Sequence, residues 1–422
     1  MLYKNKRSIK GMKMISYEEA KKIVQNSGRR LGCKTEKVDL CKAVRRVCAE
    51  NIRASLDIQP FDNSAMDGFA VRLSDLKDSG GVLRKSGIVA AGDPVLEKNI
   101  AVGTCVQVMT GAPVPPDAEA VVPVENIKIE GENILFASRP EAGANIRNAG
   151  EDFRKGVKVL EIGQAIHSQH IMPLAALGIG MIEVFKKPRA AFISTGRELV
   201  DDLSESLKPG QIYNSNRPYA LAALDSMGID CVSAQTTTDD PEKFELILKD
   251  IMAQDVEAVI SSGAVSAGSF DFVRAALEKI GAEIIFHKVK IKPGKPNLFA
   301  RLPNGVLYFG LPGNPVATAA GLRFFVQPCL QAMMGMEDES PVRGIVTEDL
   351  KKRSGLKMFL KARAESREDG ALDVQLLEGQ ESFMVSPFLR MNCWAVVPEE
   401  NAEIKAGDCV DLYPLYPHGG FL

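Results

Sequence analysis

Ala190-Ala-Phe-Ile-Ser-Thr-Gly-Arg-Glu198 is a short apolar run that breaks into a glycine turn with a carboxylate behind it. The chain repeats that grammar as far as Gly335. Asn214-Ser215-Asn216 predicts a helix cap ahead of Ala220, Ala223, Leu224 and Met227 at helical spacing, with Gly228 at the end. Residues 231–235 read as the next strand. Asp240 is an expected N-cap with Pro241 at the first helical position, and Phe244, Ile247, Leu248 and Ile251 form the buried face. Residues 258–260 predict a third strand. The Ser261–Ser269 loop then leads to a helix carrying Val273, Ala276, Leu277 and Ile280. Residues 306–309 are a further strand, and Leu311-Pro-Gly-Asn-Pro315 opens a long helix with Asn314 as cap. Strands alternating with crossover helices predict a parallel sheet covered on both faces.

In such sheets ligands bind beyond the carboxyl ends of the strands, where these polar loops fall. The loops near 195, 262 and 313 follow strands, and the last two also open helices. Free N–H groups and the positive helix end there favour an anion. Lys292-Pro-Gly-Lys-Pro296 adds two cations in a stiff turn. Together with Glu198, Asp239, Asp240 and Asp271 the set suggests phosphates bridged to a divalent cation. Magnesium takes one or two carboxylates and completes its shell with water and phosphate oxygens.

Upstream, Ser16 and Glu19 form an expected capping box for a helix over 16–31, and residues 38–54 predict a shorter helical piece. Ile58-Gln-Pro-Phe-Asp-Asn-Ser-Ala-Met-Asp-Gly-Phe-Ala-Val71 reads as an ordered loop that enters a strand and carries Asp62 and Asp67. Residues 69–125, cut by glycine turns, predict a small β domain in which the strand at 106–109 ends at Thr110-Gly111. The turn Asn145–Phe153 gathers Arg147, Glu151 and Asp152, and both a polar site and a surface turn with a local ion pair fit it. Residues 166–177 predict a helix. His167 and His170 within it suit a structural pair better than a metal site. Past Met336, short strands predict a C-terminal β barrel or sandwich, within which residues 375–386 suggest no chemistry.

With 422 residues the chain exceeds one core, and 45% apolar with 25% charged residues is ordinary for a soluble globular protein. A net charge of −2 argues against a nucleic-acid binder. The basic residues Lys4, Lys6, Arg7, Lys10 and Lys13 precede no apolar run, so a frayed tail is expected there and not a secretory signal. The most apolar stretch, 171–182, is too short for a membrane span. Eight cysteines without a C-x-x-C pair fit a reduced, cytoplasmic protein.

Seven motifs then occur in order. They are residues 60–71, Met109-Thr-Gly-Ala-Pro-Val-Pro115, 147–152, Ser194-Thr-Gly with Glu198-Leu, Asn214-Ser-Asn-Arg217, Lys292-Pro-Gly-Lys-Pro296 and Gly310-Leu-Pro-Gly-Asn-Pro315. The set resembles the MoeA family of molybdopterin molybdenumtransferases, related to the C-terminal domain of gephyrin. The resemblance implies a multidomain α/β plus β protein. Its parts would be an elongated helical/β N-terminal domain (1–54 with 140–187), an inserted β domain (55–139), a MogA-like α/β molybdopterin-binding domain (188–336) and a C-terminal β barrel (337–422). It implies magnesium-assisted insertion of molybdate into adenylylated molybdopterin with release of AMP. It also implies a cytoplasmic homodimer sharing its site between subunits, and transient contact with a molybdopterin adenylyltransferase.

By the same resemblance Asp62, Asp152, Glu198 and Asp271 are catalytic candidates, and Glu198, Asp239, Asp240 and Asp271 metal ligands. Ligand-holding candidates are Thr110, Ser194, Gly196, Asn214, Ser262, Gly263, Ser266, Gly268, Lys288, Lys292, Lys295, Pro312, Gly313 and Asn314. Carboxylates repel molybdate unless a cation intervenes, whereas lysines attract it. The chain departs from the family pattern at Arg197, where the family has aspartate, at Ala264, where it has glycine, and at Ser269, where an acidic residue is common. An alanine needing positive φ at 264 is expected to be strained. These departures leave room for a cofactor-binding scaffold or a tungstate-specific insertase. A dehydrogenase lacks support, because no G-x-G-x-x-G follows a strand.

Overall fold

The computed structural model describes residues 13–95, 97–264, 272–352 and 355–415. The basic positions 4–10, and Ser266, Gly268, Ser269 and Asp271, lie outside the described residues.

The strand–helix alternation forms a six-stranded sheet. Its order is Asp230–Thr237, Arg189–Thr195, Ala258–Ser262, Leu307–Leu311, Leu298–Arg301 and Glu283–His287. The first four strands are parallel. The last two pair antiparallel and extend the expected parallel sheet at one edge. No crossover helix separates 287 from 298 or 301 from 307, and such short connections can only return the chain antiparallel.

Ala190 and Phe192 pack with Leu224, Ile260 and Phe309 on one face. Ala191 and Ile193 pack with Phe244, Leu248, Val259 and Tyr308 on the other. Both faces are therefore dry, as a near-continuous apolar strand requires. Each phenylalanine or isoleucine so buried contributes about 1.5–3 kcal/mol.

The carboxylate of Asp240 caps helix Pro241–Met252, accepting from the N–H groups of Glu242 and Lys243 at 3.0 and 3.3 Å. Helix Asn216–Ser226 is capped from within the expected Asn214-Ser215-Asn216 stretch. Asn214 supplies the side-chain bond, accepting from Arg217 N at 3.2 Å. The long helix expected after residue 314 runs as Pro315–Gly321, a π-turn at Leu322–Val326, and Gln327–Met333. Asn314 occupies the N-cap position without a side-chain capping bond, and its amide donates to the Ser382 hydroxyl at 2.8 Å.

At the other end of the chain, Ser16 caps helix Tyr17–Leu31, accepting from Glu19 N at 3.2 Å. This helix lies so close to Gln327–Met333 that a Cβ on Gly28 would stand 2.2 Å from the Cys329 carbonyl oxygen. The helical piece expected at 38–54 is corrected. Thr35–Asp39 pairs antiparallel with Met181–Phe185, a single 3-10 turn occupies Leu40–Lys42, and Ile52–Arg53 pairs with Lys158–Leu160. Distant strand partners override a weak local helix preference. The inserted β unit is a six-stranded sheet reaching from Gly68 to Phe136.

In the C-terminal region Val342–Val346, Lys357–Ser366, Leu372–Leu376, Cys393–Val397 and Cys409–Pro414 close on themselves as a five-stranded barrel. Closure removes the sheet edges. Ile291–Lys292 adds to this barrel in parallel with Lys357–Met358, which fastens the lysine-rich turn to the α/β unit's neighbour.

Candidate functional site

Beyond the carboxyl ends of the parallel strands lies an open cleft of about 980 Å³, bounded on its far side by barrel residues Leu356, Ser382 and Phe383. The sequence-predicted residues Ser194, Gly196, Glu198, Asn214, Asp239, Ser262, Gly263, Lys292, Lys295, Pro312, Gly313 and Asn314 all line it.

The two loops at 262 and 313 are held as one surface. The Asn216 amide donates to Ser262 Oγ at 2.8 Å and to the Gly313 carbonyl at 2.7 Å. Thr318 Oγ1 donates to the Pro312 carbonyl at 2.7 Å and so accepts from Ser262 Oγ at 2.9 Å. Every hydroxyl proton in that chain has one consistent direction. Gly313 approaches Gly263 so closely that a Cβ would sit 3.3 Å from the Gly263 Cα.

Gly263 itself has φ +106, and Ala264 after it has φ +50. The positive φ at Ala264 is the strained conformation anticipated from the sequence. Beneath the 195 loop, the Asp201 carboxylate accepts from the Asn214 amide at 2.8 Å and Thr236 Oγ1 at 2.9 Å, and pairs with Arg217 at 2.9 Å.

Charge in the cleft divides by position. Arg197, Lys292 and Lys295 are exposed cations, while Glu198 is half-buried, with its carboxylate oxygens 2.7–2.8 Å from where a Cβ on Gly196 would stand. Asp239 lines the cleft; Asp240 beside it serves the helix cap and does not. Lys288, at φ +75, also falls outside the lining. Among the described residues no three His, Cys, Asp or Glu side chains are grouped to hold a metal by protein ligands alone. His170 Nδ1 accepts from His167 N at 3.0 Å, closing the helix start at 168.

Asp62, Asp152 and Thr110 gather elsewhere. The stretches 58–67, 109–114 and 145–153 are stitched together by Ser64 N to Ala112 O, Gly111 N to Ser64 O, Gly150 N to Gln59 O and the pairing of Asn63–Ser64 with Ile146–Arg147. The exposed Asp62 accepts from Ala149 N at 2.7 Å, and Glu151 accepts from Asn148 N at 2.9 Å. None of these turns contributes to the lining of the cleft in the same chain.

Thr110 donates both its N–H, at 2.7 Å, and its hydroxyl, at 2.9 Å, to Asp67 Oδ1. Those two bonds hold the Asp67 carboxyl below the usual carboxylate range. Its stabilising contribution is therefore present at neutral pH and is lost as pH falls through the lowered folded value. Thr110→Val is expected to return the Asp67 titration, followed by carboxyl-carbon NMR, toward the ordinary range. An unchanged midpoint would show that the hydroxyl bond does not form.

Sequence reasoning missed Asn216, Asp201, Tyr213, Leu356, Ser382 and Phe383. Only Asn216 left a signal, as a third polar residue in Asn-Ser-Asn where one cap suffices.

Three family models match: the MoeA N-terminal region, domains I and II, over residues 15–178; a probable molybdopterin binding domain over 191–332; and the MoeA C-terminal region, domain IV, over 343–415. The molybdopterin molybdenumtransferase of Haemophilus influenzae is 36% identical over 384 residues, covering 90% of this chain and 94% of that protein. That of Synechococcus elongatus is 36% identical over 409 residues, covering 95% and 100%. The crystal structure of the molybdopterin biosynthesis MoeA protein from Pyrococcus horikoshii OT3 superposes with a TM-score of 0.80 at 29% identity, over 95% of this chain and 100% of that one. Similarity of this extent, spanning every folded unit described above, means that the chain belongs to the molybdopterin molybdenumtransferase (MoeA) family of transferases in molybdenum cofactor biosynthesis.

Proposed function

We propose that the chain inserts molybdate into adenylylated molybdopterin and releases AMP in the cytoplasm, with its site completed by a second copy of itself. The observation that carries this reading is the cleft. Two backbone loops tied together by Asn216 share it with Arg197, Lys292 and Lys295. The N–H groups of Gly313 and Asn314, at the start of the helical run 315–333, form no hydrogen bond among the described residues and suit a role in cradling phosphate. The diphosphate of the substrate fits against residues 262 and 313, and the lysines hold molybdate as point charges.

Glu198 and Asp239 suit magnesium, which needs few protein carboxylates when phosphate oxygens and water complete its shell. Asp271, outside the described residues, is a further candidate. When bound, the ion neutralises charge on the phosphates. Glu198 and Asp239 position it, and the lysines orient the anions. Asp62 and Asp152 require another source of contact, since their turns stay out of the cleft of their own chain. A homodimer supplies it.

The test is to mix purified protein with adenylylated molybdopterin, molybdate and magnesium and to follow AMP. Molybdate-dependent AMP release, largely lost on chelation, is expected. Tight pterin binding without AMP would replace this reading by a cofactor-binding scaffold, and release with tungstate alone would change the metal.

A further inference from the structure

The barrel residues on the cleft wall carry no chemical signal in the sequence, yet their loop is firmly built. Lys361 lies on the barrel strand 357–366 and is 0% exposed. Its ammonium donates to the carbonyls of Gly379 at 2.5 Å, Met384 at 2.9 Å and Glu381 at 3.2 Å. Three acceptors match the three N–H bonds of a protonated lysine. Burial pushes its pKa down to about 8, which still leaves it charged at neutral pH. Gln380 grips the same strand. It accepts from Lys361 N at 3.0 Å and donates to the Lys361 carbonyl at 2.8 Å. The tip of the loop is fastened to the α/β unit, with Ser382 O accepting from Val316 N at 3.1 Å and Ser382 Oγ accepting from Asn314 at 2.8 Å.

This loop exposes Phe383, Met384 and Val385, and of these Phe383 lines the cleft. Phe383 is 66% exposed, lines the cleft, and makes no ring contact with another aromatic among the described residues. An aromatic face open to solvent beside an anion-binding loop is placed to take a flat ring attached to the anion. Flat nitrogen heterocycles stack on such a face with little regard to their edge groups.

We infer that Phe383 is a stacking platform for a fused nitrogen heterocycle of the substrate and that Lys361 is the positioning residue which holds it over the cleft. The inference rests on the function proposed above. The substrate carries two such rings, adenine and pterin, one on each side of its diphosphate. The Ser382–Asn314 bond sets Phe383 next to the diphosphate loop, within reach of either.

The test uses full-length protein with Phe383→Ala, Phe383→Trp and Lys361→Met. Affinities for AMP and for molybdopterin are measured separately, and KM and kcat for AMP release from the adenylylated substrate. Phe383→Ala is expected to weaken one of the two ligands about tenfold and to raise KM about as much, with a smaller fall in kcat. Phe383→Trp, which restores a face, recovers the affinity. Lys361→Met raises KM in the same direction, and the double variant is no worse than Phe383→Ala alone, because the lysine acts through the ring. The ligand that loses affinity identifies the ring. Wild-type turnover with Phe383→Ala indistinguishable in both affinities overturns this inference alone. Wild-type protein that binds neither ligand overturns it together with the function beneath it.

Discussion

Gly263→Ala is expected to lower AMP release at least 100-fold and to destabilise the protein by about 3 kcal/mol or more, the sum of backbone strain and overpacking in a tight site. A Cβ there would stand 2.4 Å from Thr195 Oγ1 and 2.5 Å from the Thr195 carbonyl oxygen. The carbonyl belongs to the sheet's own strand, so it cannot rotate away as a side-chain tip could. The φ of +106 adds a conformation that alanine rarely adopts. Relief requires separating the 195 loop from the 262 loop, and that separation also pulls Ser262 from the Asn216 amide that ties it to Gly313. The proposed phosphate cradle and the fold therefore fail together.

Ala264→Gly is the natural control. Glycine removes a left-handed penalty of about 1–2 kcal/mol but costs about 0.5–1 kcal/mol of backbone entropy. It also loses a methyl group that packs against the core around Phe272 and Phe244. These terms nearly cancel, so stability should change by less than about 1 kcal/mol, and the alanine is tolerable where it stands. Denaturant melts and AMP release on both variants check the pair. A Gly263→Ala protein that melts and turns over like wild type would show that the loops do not approach as described.

What the sequence discloses and what it hides follow from range. Strands 189–195 and 258–262 are readable because their apolar runs and glycine stops are local. The caps at Ser16 and Asp240 are readable for the same reason, each needing only its next three residues. The strand at 35–39 is not, because the partner that overrides helix there lies at 181–185. The cleft's inner loops follow from strand-end rules. Its outer wall does not, because Ser382 and Phe383 reach the site through a barrel lysine and through bonds to Asn314 and Val316, far away in sequence. Asn314 makes no capping bond, and the partner its amide does donate to, Ser382, sits on that same distant loop.

Asp62→Asn and Lys292→Ala are each expected to reduce AMP release 100-fold or more while leaving the melting temperature within about 2 °C, and their mixture to regain about a quarter of wild-type activity. The stability expectation follows from geometry. An asparagine in place of Asp62 keeps an oxygen to accept from Ala149 N and loses only the charge, and Lys292 is exposed. The quarter follows from symmetry. Random exchange makes about half of all dimers mixed. If a site joins the cleft of one copy to the acidic turns of the other, each mixed dimer has one site with both lesions and one with neither. A site lying within a single chain has no intact version in any mixture, so recovery would be absent. Affinity tags on the two variants establish that subunits exchange. Exchange without recovery would place Asp62 and Lys292 in a site formed within one chain and overturn the shared site, whereas recovery near a quarter ties the Asp62 turn to the Lys292 of the opposite copy.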